Sequence, residues 1–77
     1  MSGEIPVCKA REVMRVLERA GLVHVRSSGS HRVLQHPDDP QRRTIVSDHR
    51  DQDVPKGTLR QIIRQAGMTV EEFIGLL

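Results

Sequence analysis

The chain has 77 residues, 36% hydrophobic and 29% charged, which fits a single soluble domain, residues 1–77, with a small core. No apolar run approaches the roughly 20 residues that cross a bilayer, no apolar signal-peptide core opens the chain, and the single cysteine, Cys8, rules out an internal disulfide, so the expected compartment is the cytoplasm. The formal net charge of +2 rests on ten arginines and only Lys9 and Lys56, which leans toward a polyanionic partner, while Phe73 as the sole aromatic residue argues against stacking bases on aromatic platforms.

Lys9 to Ala20 has helical spacing, with Ala10, Val13, Met14, Leu17 and Ala20 on one face and Arg11, Arg15 and Arg19 on the other. Gly21 stands where a glycine ends a helix. Leu22 to Arg26 reads as a first strand, on which His24 shares a face with Leu22 and Arg26. Ser27 to Ser30 is a turn of hairpin length. His31 to His36 is a second strand, and Pro37 to Gln41 a turn whose two prolines break pairing. Arg42 to Val46 is a third strand, and short connections make the three an antiparallel meander.

Ser47 to Asp53 is polar and without period, hence a loop. Thr58 to Ala66 is a second helix with Leu59, Ile62, Ile63 and Ala66 inside, Pro55 near its first turn and Gly67 at its end. Thr69 and Glu72 form a capping box for a short helix from Val70 to Leu77, which should bury Phe73, Ile74 and Leu77. The class is α+β: a three-stranded antiparallel sheet with helices on one face and the other face open.

Three elements carry a resemblance that covers about Lys9 to Leu77. They are "GSH" (Gly29, Ser30, His31) opening the second strand, Ser47-Asp48-His49 after the third, and "GTL" from Gly57 running to "QAG" at Gly67. In this order and at this length the chain resembles the HicA-like (YcfA-like) mRNA interferase toxins. It departs from that family's pattern at Ser47, where proline is common, and in the turn "PDDPQ". The resemblance implies a double-stranded-RNA-binding-domain-like fold and endoribonuclease activity on mRNA, with the "GSH" histidine essential. It also implies a HicB-type antitoxin as partner, so that a monomeric free toxin would enter a hetero-oligomer.

The residues suit that chemistry. RNA carries its own nucleophile, the 2′-hydroxyl, so a metal-free ribonuclease needs a base, an acid for the 5′-oxygen and positive charge for the phosphorane. An imidazole titrates near 6.5 when unperturbed and serves either proton role, which makes His31 the expected acid or base. The turn at Gly29 and Ser30 offers backbone N–H groups that a phosphate can approach. Arg26, Arg32 and Lys56 are candidate charge stabilisers, and His49 is the candidate second proton carrier. Arg11 and Arg15 could track phosphates along A-form RNA, although such a stripe is also simply a solvated helix face.

Blander readings stand beside these. Without the resemblance His31 is an exposed strand residue, and His24 and His36 are ordinary strand positions. The histidine spacings of 7, 5 and 13 residues, with one cysteine, do not make a zinc cluster, so no metal or other cofactor is expected. Cys8 reads as a small packed or exposed residue and Met14 as core. Two other functions fit the same residues: a non-catalytic module that binds double-stranded RNA, and an interaction subunit whose open sheet face only receives a protein.

Overall fold

The computed structural model describes residues 5–49 and 51–77. The elements run α1 (Ala10–Arg19), β1 (Val23–Ser28), β2 (His31–His36), β3 (Asp39–Ser47), α2 (Lys56–Gln65) and α3 (Val70–Gly75). The strands form one antiparallel sheet in the order β1-β2-β3. This is the expected α+β layout.

Local chemistry explains where the helices start and stop. At the start of α1, the Glu12 carboxylate accepts the Lys9 backbone N–H at 2.8 Å. Gly21 N–H then donates to Glu18 O and Leu22 N–H to Leu17 O, which closes α1 in a Schellman motif. Gly67 and Met68 close α2 in the same way on Arg64 O and Ile63 O. At α3 the capping box forms as expected: Glu72 N–H donates to Thr69 Oγ1 at 3.1 Å, and Thr69 N–H to Glu72 Oε1 at 2.8 Å.

The apolar stripes of α1 and α2 meet one face of the sheet. Val13, Leu17, Leu34, Val46, Leu59, Ile63 and Phe73 share a single buried cluster. Met14 packs against its edge rather than inside it. The segment before α2 is stitched to the start of α1: Val54 N–H donates to Cys8 O at 2.8 Å, Ala10 N–H to Gln52 O at 3.2 Å, and Lys9 Nζ to Asp51 O at 2.9 Å. Among the described residues, no helix is long and apolar enough to cross a membrane.

Four local expectations need correction. Ser27 and Ser28 belong to β1, so the hairpin turn is only Gly29 and Ser30. The turn after β2 is only Pro37 and Asp38, and Pro40 lies inside β3. That strand tolerates the proline because Asp39 pairs with His36 while Arg43 pairs with Gln35; Pro40 sits in the bulge between, where no ladder bond needs its N–H. A register shift between His24 and Arg26 places these two on opposite faces rather than one. Finally, α3 ends at Gly75 rather than Leu77; it buries Phe73 but leaves Ile74 exposed, because only one side of so short a helix reaches the core, and Leu77 beyond it is exposed as well.

Candidate active site

The connection from β1 to β2 is a two-residue turn closed by the pair Ser28 and His31. Gly29 has φ +58°, the positive value that both primed hairpin turns require at their first central position. A Cβ placed on Gly29 would meet nothing within 4 Å. Open space therefore lies beside Gly29, and the turn consists of exposed Gly29 and half-buried Ser30 alone.

Residues directly opposite in a sheet share a face. His31 stands between Ser28 and Ser47, and the next row is Arg26, Val33 and Ile45. Both rows lie on the face away from the helices, where Val23, Val25 and Ile45 are exposed. The His31 imidazole is exposed and makes no hydrogen bond to any described residue. Arg26 is its diagonal neighbour on the adjacent strand, a separation that a long side chain spans.

Arg32 points the other way. It pairs with Ser27 and with buried Val46, so its side chain lies on the helix side. There Arg32 Nη1 donates to Gly29 O at 2.6 Å, and Nε lies 3.6 Å from Asp48 Oδ2. The Asp48 backbone N–H donates to Ser30 O at 2.7 Å. The two turn carbonyls are thus held by the Arg32 guanidinium and by the backbone N–H of its ion-pair partner Asp48.

Arg32 and Asp48 border a groove of about 380 Å³ with His24 and with Arg11, Met14, Arg15 and Glu18 of α1. The structure therefore gathers Arg11, Arg15 and Arg32, but on the face opposite His31. The arginine stripe of α1 splits into three roles. Arg11 is ion-paired with Asp51. Arg19 donates to Leu76 O at 2.7 Å and ties α1 to α3. Arg15 has no polar partner among the described residues.

His49 follows β3 by two residues and is exposed. It lines a pocket of about 290 Å³ with Ser47, Gln52, Val54 and Thr58. Ser47 pairs with His31, so this pocket adjoins the His31 row, yet no hydrogen bond joins the two histidines. Lys56 is exposed in the first turn of α2 and has no polar partner among the described residues.

The remaining candidates are engaged locally. His24 Nε2 donates to Arg26 O at 2.9 Å and lies 2.6 Å from Ser27 Oγ. His36 Nδ1 accepts the Asp38 N–H at 3.1 Å. Cys8 is buried; burial, and secondarily the Glu12 carboxylate, push its thiol pKa up, away from nucleophilic behaviour. Asp48 is the residue that sequence reasoning missed. Its place in the Ser47-Asp48-His49 element assigns it no role; only the pairing of His31 with Ser47 carries it behind the turn.

No curated protein matches the chain at a significant level. A family model, the HicA toxin of bacterial toxin-antitoxin systems, matches residues 10–68. That span begins with α1, includes all three strands and α2, and carries the "GSH" hairpin with the loop that backs it. A toxin of such a system has an antitoxin as its partner. From this match over most of its length, the chain belongs to the HicA toxin family of bacterial toxin-antitoxin systems.

Proposed function

We propose that this toxin is a metal-independent endoribonuclease that cleaves mRNA in the cytoplasm, with His31 as acid or base, and that a HicB-like antitoxin inhibits it. The observation that carries the reading is the exposed His31 imidazole beside a two-residue turn with open space at Gly29, on a face that the helices leave open. A phosphodiester lying across Gly29 and Ser30 would meet backbone N–H groups and the Arg26 guanidinium. The 2′-oxygen then attacks phosphorus while the bond to the 5′-oxygen breaks, giving a 2′,3′-cyclic phosphate and a free 5′-hydroxyl. One proton leaves the 2′-hydroxyl and one reaches the 5′-oxygen. His31 carries one of them, and His49, across Ser47, is the proposed carrier of the other. Lys56, Arg11 and Arg15 hold more distant phosphates of the RNA.

A second reading has its own support. Arg11, Arg15 and Arg32 gather on the helix side, away from His31, as a module that only binds double-stranded RNA would need. Purified protein on an end-labelled RNA of defined sequence, with EDTA present, separates the two. The nuclease reading expects discrete cleavage by wild type, none by His31→Ala, and a large loss in His49→Ala. Cleavage retained by His31→Ala overturns the role of that residue. Salt-dependent binding without any cleavage by wild type replaces the nuclease with the binding module. Retained cleavage in His49→Ala removes His49 from the proton pair.

A further inference from the structure

The geometry points to Arg32 and Asp48 as a positioning pair that aims the Ser30 N–H toward the His31 face, where it donates to the phosphate undergoing cleavage; this rests on the nuclease reading above.

The reasoning starts with the turn itself. In a trans peptide the C=O and N–H point in opposite directions. The central peptide of a two-residue hairpin, here the one joining Gly29 to Ser30, stands across the plane of the sheet. Its C=O therefore faces one side and its N–H the other. Types I′ and II′ differ by a flip of this peptide, and the positive φ of Gly29 fits both. Only type I′ also needs a positive φ at Ser30, so glycine followed by serine favours type II′ without locking the direction of the Ser30 N–H.

Arg32 decides it. Its guanidinium lies on the helix side and takes Gly29 O at 2.6 Å, so the C=O is held to that side. The Ser30 N–H is then presented on the opposite side, which is the face of His31, Ser28 and Ser47. Asp48 completes the device in two ways. Its carboxylate sits 3.6 Å from Arg32 Nε, and its own N–H fixes Ser30 O at 2.7 Å. The Asp48 side chain is only 9% exposed, so this contact is shielded from solvent screening. A donor fixed before substrate arrives is worth most where charge grows in the transition state, because it need not reorganise. Arg32 thus acts through the turn and not by touching RNA.

Two measurements on the full chain test this. Cleavage kinetics on a defined RNA should show Arg32→Ala lowering kcat about 10-fold or more with KM nearly unchanged. Arg32→Lys, which can still donate to Gly29 O, should recover part of the loss, and Asp48→Asn should fall between. A raised KM with unchanged kcat in Arg32→Ala overturns the proposal and makes Arg32 an RNA contact. Amide spectra with an uncleavable 2′-O-methyl oligonucleotide give an answer independent of turnover. The Ser30 amide should shift on binding in wild type and lose that shift in Arg32→Ala, with the rest of the spectrum marking an intact fold. An unchanged Ser30 response in Arg32→Ala overturns the positioning role. If wild type cleaves no RNA, the nuclease reading fails, and the Ser30 amide still decides whether the pair orients the turn.

Discussion

Strand β2 starts at His31 and ends at His36, and alternation along an extended strand sends the two imidazoles to opposite faces. Each stands beside a two-residue turn, yet the two ends serve different purposes. At the His31 end the turn is backed by Arg32 and Asp48 from the helix side, which leaves the imidazole uncommitted and the space beside Gly29 empty. At the His36 end everything is used up internally. His36 Nδ1 holds the Asp38 N–H, and its ring packs so close that a Cβ on Gly21 would lie 3.1 Å from Nε2. The bulge of β3 there carries Arg42 to the end of α2, where Nε donates to Ala66 O at 2.7 Å. The same residue type, on the same strand, becomes available or structural according to which face it takes and what stands behind its turn.

The sharpest way to break this comparison is His31→Gln. It should lower cleavage by about 10²- to 10⁴-fold, the usual contribution of a proton-transferring side chain. It should change stability by less than about 0.5 kcal/mol, as exposed substitutions do. A large loss of stability in a urea melt would mean that the His31 end is as structural as the other.

Next in size is Gly67→Ala, at the His36 end. Gly67 has φ +75°, and an added Cβ would lie 2.8 Å from Arg42 Cγ and Nε. Arg42 must then leave Ala66 O, so the left-handed strain and a lost charge-assisted hydrogen bond add. A cost of about 2 kcal/mol or more is expected, seen as a lower urea midpoint with unchanged slope. Cleavage measured well below the melting temperature should not change. His36→Gln belongs to the same end and should be milder. Losing the bond to Asp38 costs about 1 kcal/mol in the melt, with cleavage kept. A His36→Gln protein that folds normally but no longer cleaves would invert the assignment of the two ends.

Much of this contrast was legible in the residues. Periodicity located both long helices and three strands, and the Thr69–Glu72 box located α3. "GSH" marked the turn and His31, because glycine before a strand has a definite backbone use. What stayed hidden depends on register. Whether Arg26 shares a face with His24 or with the His31 row hangs on one bulge residue, which no local pattern announces. Arg32 and His31 are adjacent in sequence and opposite in space, because the pleat sends successive side chains to opposite faces. Asp48 acquires its place only when β3 pairs with β2, a contact between residues far apart in the chain.

Gly29→Ala is expected to act most gently on cleavage, and it tests the comparison most finely. Gly29 and Gly67 both have positive φ, but the Cβ of an alanine at position 29 would enter open space, whereas at position 67 it would strike Arg42. Folding should therefore lose only about 1 kcal/mol, from the left-handed conformation alone. Cleavage should fall by more than this loss of folded protein accounts for, because the methyl group occupies the approach that a phosphate would use. The pair then differs in kind: a crowded glycine whose replacement costs more stability and spares activity, and an uncrowded one whose replacement costs less stability but also costs activity. Equal cleavage by wild type and Gly29→Ala, at matched folded fraction, would show that the phosphate does not lie against this turn. The open face of the His31 row would then have to bind RNA from the side of Arg26 instead.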